Sequence, residues 1–364
     1  MVDPSGIRAD KPGILLINFG GPQSESELAP FLEELFLDVL PLPGALRRFA
    51  ARQIAVRRAP KVAPNYQMIG WSPLVPSTFE QADALKALLG ESTPPFAVGM
   101  MLSPPHFETA VADLLDQGCD SIVALALFPQ WSFATSGAAF DRLDDAMEAL
   151  GKRHIPIHRV PPFFDHPLYV RALADTIRKG IDALDGEGPV DLLFTPHGLP
   201  LSFLRKGDPY PEQVRTTVKA VLDELAWTGP AHLGWQSRVG PVKWIEPSTE
   251  AEVERLGAET AERVLLVPVA FVGDHIETLH ELDIELAEVA NHSGIKHFGR
   301  SPALDTHPDF MKCLADLVQT GLERFGRPSC VRCALPVKPG YAHGRCPACR
   351  FVPPKHLQNQ AQRH

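Results

Sequence analysis

Short apolar runs rich in Val, Ile and Leu alternate along the chain with segments of helical period. Runs of four to eight apolar residues bounded by turn signals are the pattern of parallel strands buried on both faces and linked by crossover helices. On this basis residues 13–19, 96–102, 121–128, 190–195, 232–236 and 264–271 are predicted strands. Between two of them, residues 107–117 place Ala110, Val111, Leu114 and Leu115 on one helical face, as a packing helix does. The order of helix, turn and apolar strand in ETAVADLLDQGCDSIVALALFPQ, from Glu108, is echoed by EAEVERLGAETAERVLLVPVAFV, from Glu250. The expectation is an α/β chain of two similar doubly wound, Rossmann-like halves with parallel sheets and a ligand cleft between them.

The proline-rich run VPPFFDHP, residues 160–167, marks the crossing between halves, giving expected domains at 1–163 and 164–326. Beyond about residue 325 the alternation ends, leaving a four-cysteine segment at 327–352 and a tail at 353–364.

Composition narrows the function classes. With 364 residues, 45% of them hydrophobic, the chain can form two cores. Its net charge of −9 argues against a general nucleic-acid binder. The one dense basic run is Arg47, Arg48, Arg52, Arg57, Arg58 and Lys61. No apolar stretch reaches the roughly 18 to 20 residues of a membrane span, and the first residues lack the apolar run of a secretory signal, so a cytoplasmic location is expected.

In doubly wound folds ligands bind beyond the carboxyl ends of the strands. Two such places carry candidate chemistry. In DLLFTPHGLP, His197 follows an apolar run and is set in a turn by Pro196, Gly198 and Pro200, where an imidazole can serve as a base near neutral pH; a lone turn histidine is also commonly structural. In LLVPVAFVGDHIETLHELDIELAEV, a helix is predicted to start near Asp274 as its N-cap. That helix would stack Glu277, Glu281 and Glu285 at i, i+4 and i+8, with His275 and His280 nearby. The row reads either as a solvated face or as a carboxylate path for a hard cation or for protons.

The residues also resemble a known family. QSRVGPVKWIEPSTEAEVERLGAETAERVLLVPVAFVGDHIETLHELDIE resembles the signature region of ferrochelatases, and HGLPLSFLRKGDPYPEQV resembles a second block of that family. GILLINFGGP, FLEELFLDVLPLP, RRAPKVAPNYQMIGWSPL and FPQWSFATSG match in the same order, over most of residues 13–320. The resemblance implies a lyase that inserts Fe(II) into protoporphyrin IX with release of two protons, in haem biosynthesis. It further implies that His197 takes a pyrrole proton and that Glu277 faces it across the cleft. His275 and Asp274 would share that site, with His197 and Glu277 touching the substrate iron and Glu281 and Glu285 extending an acidic path.

By the same resemblance Arg58 and Ser72 would meet the propionates, with Phe19, Met101 and Trp131 in the porphyrin wall. Phe19, Trp131, Met100 and Met101 stand where relatives carry more polar residues, so this wall offers no hard-cation ligand. Phe31, Leu35, Phe36, Leu40, Leu42, Leu46 and Phe49, within an apolar lip at about 28–76, would cover the porphyrin and contact a membrane peripherally, at the cytoplasmic face.

Cys330, Cys333, Cys346 and Cys349 form two CxxC knuckles separated by twelve residues, a spacing that presents four thiolates to one metal site. Spacing alone suits zinc or iron. The family resemblance favours a [2Fe-2S] cluster, with zinc as the alternative, although Phe133 stands where some members draw a cluster ligand. Cys119 and Cys313 read as small core residues. Competing functional readings are a chelatase for coproporphyrin III or another divalent metal, and a non-catalytic haem-binding or redox-sensing protein on the same fold. Nothing in the sequence assigns an oligomeric state.

Overall fold

A computed structural model describes residues 10–325 apart from 41, 239 and 241. The expected cysteine segment and tail lie outside the described residues. The first half runs β1 (Pro12–Asn18), α1 (Glu25–Val39), α2 (Gly44–Met68), α3 (Leu74–Leu89), β2 (Phe96–Met100), α4 (Phe107–Asp116) and β3 (Ser121–Ala126). It continues through a π-helical turn, π1 (Phe133–Gly137), to α5 (Ala138–Ala149), β4 (Ile157–Arg159) and α6 (Pro167–Ala183). The second half repeats the plan with β5 (Asp191–Phe194), α7 (Leu201–Arg205), α8 (Tyr210–Leu225), β6 (Ala231–Leu233), α9 (Thr249–Ala258) and β7 (Arg263–Val267). A longer π-helix, π2 (Glu277–Glu285), leads to α10 (Leu286–His292), β8 (His297–Arg300) and α11 (Pro308–Glu323).

Each half holds one wholly parallel four-stranded sheet, and the two share one strand order: β2-β1-β3-β4 and β6-β5-β7-β8. The sequence echo at Glu108 and Glu250 is thus the repeated pair α4–β3 and α9–β7. Period-two alternation sends Ile14 and Leu16 of β1 to one core and Leu15 and Ile17 to another, so both faces are covered. Leu192 and Phe194 of β5 and Leu265 and Val267 of β7 join Ile14 and Leu16 in a single core that runs through both halves.

Three expectations are corrected. The run at 232–236 contributes only the three-residue β6; Trp235 and Gln236 make isolated bridges instead, to Ser248 and His197. The run at 264–271 stops as a strand at Val267, because Pro268 has no N–H to donate. Two edge strands, β4 and β8, had no apolar run to announce them: IHR and HFGR are short and half-polar.

The terminal helices of the halves exchange places. Helix α11 lies on the first sheet, where a Cβ on Gly321 would come 2.9 Å from Val123 Cγ1. Helix α6 lies on the second, where a Cβ on Gly180 would come 3.0 Å from Leu265 Cδ1 and Ser301 Cα. The two helices begin alike, HPLYVRALADTIRKG from His166 and HPDFMKCLADLVQTG from His307. Each histidine caps its own helix, His166 Nδ1 accepting from Leu168 N (3.3 Å) and His307 Nδ1 from Asp309 N (3.2 Å). Their Nε2 atoms reach across to the opposite helix, His166 to Asp316 (3.0 Å) and His307 to Asp175 (2.8 Å).

Because the glycine contacts are backbone-close, Gly180→Val is expected to overpack α6 against β7 and destabilise the fold by about 1–3 kcal/mol. A lower urea midpoint with unchanged slope checks this; an unchanged midpoint would show that α6 has room to move.

Candidate active site

The centre of the site follows from β5 and β7 being neighbours. Thr195 N continues the ladder by donating to Val267 O (2.8 Å), and beyond that point the two chains turn outward. His197 sits two residues past Thr195. Its turn is locked to the next segment by Gly198 N donating to Gln236 O (2.8 Å) and Gln236 N to Pro196 O (3.0 Å). A Cβ on Gly198 would lie 2.9 Å from Gln236 O, so a side chain would force the turn apart.

Glu277 opens π2 and meets His197 directly: His197 Nδ1 and Glu277 Oε2 are 2.9 Å apart, and His275 Nε2 lies 3.5 Å from the same oxygen. Both members of the first pair belong to the second half. The expected arrangement across a cleft is therefore corrected: the imidazole and carboxylate touch and form one wall. About a third of each side chain is open to solvent, 33% for His197 and 30% for Glu277.

Glu281 is the next carboxylate along π2. Ser237 donates to it twice, through N (2.8 Å) and Oγ (2.6 Å). Gln236 Nε2 donates to Glu277 O (3.2 Å), while its own Oε1 is buried without a protein partner. The structure separates Glu285 from this group. It is 58% exposed and paired with His280 Nδ1 (3.5 Å).

The α-helix expected to start at Asp274 is replaced by a π-helix from Glu277, whose i→i+5 bonding widens the turn. Asp274 Oδ1 accepts from Thr278 Oγ1 (2.8 Å) and from Arg300 Nη1 (2.9 Å), so it supports the helix entry and is not the N-cap.

Electrostatics tie these groups together. Burial disfavours the His197 imidazolium, but the Glu277 carboxylate outweighs burial, with Glu281 adding, and the pKa rises above its usual 6.5. Burial likewise opposes charge on Glu277, and His197 and His275 overcome it, holding the carboxyl far below its usual 4.5. Glu281 moves the other way: burial and the neighbouring Glu277 raise it against the Ser237 bonds. Burial and Glu277 also push up the phenols of Tyr66, on α2, and Tyr210, at the start of α8. The Trp244 ring stands edge-on to His197 at 6.3 Å.

The remaining expected residues fall in different settings. Arg58 is exposed on α2, and Phe19 is half-buried. Ser72 is buried, with its hydroxyl accepting from Leu74 N (3.4 Å). Met101 and Trp131 are only 1% and 2% exposed, so they back the first-half wall and do not face a cleft, which corrects their reading as direct contacts. Phe31 of the lip is buried, whereas Leu46 and Phe49 are 55% and 65% exposed beside the basic run. No described helix is long and apolar enough to cross a membrane. Among the described residues, no three His, Cys, Asp or Glu side chains converge to hold a metal ion.

An open groove of about 790 Å³ lies among Gln23, Val75, Pro76, Phe79, Pro104, Pro105, His106 and Thr109, apart from the His197–Glu277 cluster. Gln236, Ser237, Tyr66, Tyr210 and Trp244 escaped sequence reasoning. For Gln236 and Ser237 the signal was available, since they follow the short apolar run that becomes β6.

Comparison with known proteins places the chain among relatives. The Ferrochelatase family model matches residues 11–322. A ferrochelatase of Geotalea uraniireducens (strain Rf4) is 42% identical over 313 residues, covering 85% of this chain and 97% of that protein. A ferrochelatase of Aquifex aeolicus (strain VF5) is 38% identical over 315 residues, covering 85% and 99%. Among solved structures, SirB from Bacillus subtilis with Fe3+ has a TM-score of 0.53 at 12% identity, over 86% of this chain and 96% of that one, a likeness of fold.

The paired pKa displacements set a pH window. His197, raised, contributes stability fully below about 6.5 and loses it as pH rises through the folded value. Glu277, lowered, contributes fully above about 4.5 and loses it in strong acid. The advantage of the wild type over Glu277→Gln is therefore expected to peak between pH 4.5 and 6.5, with the His197 midpoint lower in the variant. Ring NMR titration and urea unfolding across pH check this; an unmoved midpoint would refute the coupling.

Proposed function

The chain belongs to the ferrochelatase family, and from that premise we propose that it is a lyase inserting Fe(II) into protoporphyrin IX, with the His197–Glu277 pair at its centre. The contact between these two side chains carries the reading. Metallation requires two pyrrole N–H protons to leave and the metal to shed water. With Nδ1–H donated to Glu277, the His197 Nε2 lone pair is left free to accept a proton, and the carboxylate stabilises the imidazolium that forms. Because both groups lie on one wall, they act from one face of the macrocycle. Glu277 and Glu281 offer hard oxygen ligands and proton acceptors in sequence, suited to iron arriving or protons leaving. Glu285, turned outward, stands at the exposed end of that path.

Arg58 is the proposed propionate partner, since its guanidinium forks onto carboxylates. Ser72 assists from behind the first-half loop, and Phe19 contacts the ring, backed by Met101 and Trp131. The exposed Leu46 and Phe49 among Arg47, Arg48 and Arg52 suit peripheral contact with an anionic membrane at its cytoplasmic face. Cys330, Cys333, Cys346 and Cys349 are the proposed ligands of a [2Fe-2S] cluster; four thiolates suit it or zinc. The lip favours protoporphyrin over coproporphyrin.

Replacing His197 by Ala is expected to lower anaerobic iron insertion by about 10²- to 10⁴-fold with the fold intact. Retention of most activity would remove the assigned base. Anaerobically purified protein is expected to show visible absorption with two irons and labile sulfide; a colourless protein with one zinc would replace the cluster by zinc.

A further inference from the structure

A nine-residue π-helix is an uncommon conformation that surrounding contacts must hold in place. Here one side chain from outside π2 grips both its approach and its body. Arg300 is the last residue of β8, and its side chain is only 10% exposed. Its Nη1 lies 2.9 Å from Asp274 Oδ1, three residues before π2 begins. Its Nε and Nη2 grip Asp283, well inside π2, side-on at 2.8 and 2.9 Å. A guanidinium suits this task because its fork is planar and rigid.

Asp274 passes the constraint on. Its Oδ1 also takes the Thr278 hydroxyl (2.8 Å), and Thr278 Oγ1 in turn receives the His275 N–H (3.0 Å). Thr278 is buried, and with His275 it flanks Glu277. The surroundings are otherwise acidic. Burial, Asp274 and Glu80 together raise the Asp305 carboxyl to about 6, so removing the Arg300 guanidinium would leave Asp274 and Asp283 repelling in a partly dry site. None of these contacts includes His197, Glu277 or Glu281.

We propose that Arg300 is a positioning residue for metallation: by tying Asp274 to Asp283 it keeps π2 in the widened turn that sets Glu277 against His197 and Glu281 against Ser237. For its effect on turnover the inference rests on the iron-insertion reading above; for its effect on π2 it stands on geometry alone.

The test uses the full chain with Arg300→Met and, as a milder cut that leaves Asp274 paired, Asp283→Asn. Measured quantities are anaerobic kcat with Fe(II) and protoporphyrin, porphyrin affinity from fluorescence quenching, and amide exchange over residues 277–285. Arg300→Met is expected to lower kcat on the order of 10- to 100-fold, Asp283→Asn less, with porphyrin affinity within about twofold and exchange at π2 accelerated.

Glu277→Gln added to Arg300→Met is expected to cost far less than it does alone, because the strut works through Glu277. Full kcat in a folded variant, additive losses in that double variant, or unchanged exchange at π2 would each overturn the proposal. If Arg300→Met does not fold, Asp283→Asn decides on the same readouts. If the wild type inserts no iron, the iron-insertion reading fails, and exchange together with the His197–Glu277 separation in a crystal structure of Asp283→Asn still decides the strut.

Discussion

The contact between His197 Nδ1 and Glu277 Oε2 organises the site, and it exists because β5 and β7 lie side by side. Eighty residues separate the two positions in sequence. In space, each stands on a segment leaving the carboxyl end of an adjacent strand, so a short turn after Thr195 and a longer one after Val267 suffice to join them. The contact has consequences for every neighbour. Burial, joined by the Glu277 carboxylate that His197 and His275 hold well below its usual range, raises Glu281, Tyr66 and Tyr210 together. His197 thus sits among groups that hold their protons more tightly, and against the cost of burial the Glu277 carboxylate raises its own proton affinity as well.

How much of this was legible follows from what shapes each residue pattern. The central strands were readable because both their faces are buried, leaving nearly unbroken Val, Ile and Leu. Strands β4 and β8 lie at sheet edges, and their polar residues carry no such mark. His197 and Glu277 were readable as residues beyond strand ends. Their direct touch was not, since no periodicity encodes the pairing of positions 80 apart. The π-helix was unreadable for a different reason. An apolar period near 3.6 describes the α-helix, and a register shift to i→i+5 comes from outside the segment, where Arg300 meets Asp274 and Asp283. Met101 and Trp131 were misplaced because resemblance supplies a neighbourhood without saying which side chains in it reach the surface.

The duplicated plan explains why only one half carries the histidine–carboxylate pair. After β1 the chain reads NFGGP, and after β5 it reads TPHGLP, so Gly20 occupies the turn position that His197 takes in the second half. Gly20 has φ of 87° and Ser103 Oγ 2.3 Å from where its Cβ would be, leaving no space for an imidazole. After β3 the chain makes π1, the counterpart of π2, and its FATSG residues carry no carboxylate. The loop after β3 instead docks onto the other half. Trp131 N donates to Gln213 Oε1 (2.7 Å), and the buried Asp208 carboxylate takes Ser132 Oγ (2.8 Å) and Phe133 N (2.9 Å). One copy of the plan carries the titratable pair and the other packs against it.

Where the molecule can yield follows from where it is tied. The exchange of α6 and α11 fixes the sheets to each other at one end through two His–Asp contacts and two glycine-close packings, and the Asp208 and Gln213 bonds fix the loops at the other. Helix α1 is tied to the first half by Arg142, which reaches Glu34 Oε2 (3.1 Å), Asp38 Oδ1 (2.9 Å) and Met101 O (3.1 Å), beside the apolar packing of Leu28, Phe31 and Leu32. Burial raises the Asp38 carboxyl against the pull of Arg142, so that anchor is a partly desolvated ion pair and not a loose surface one. Arg142 braces α1 much as Arg300 braces π2. On the proposed reading, each wall of the porphyrin site is braced by an arginine outside the His197–Glu277 pair, Arg142 behind α1 and Arg300 behind π2.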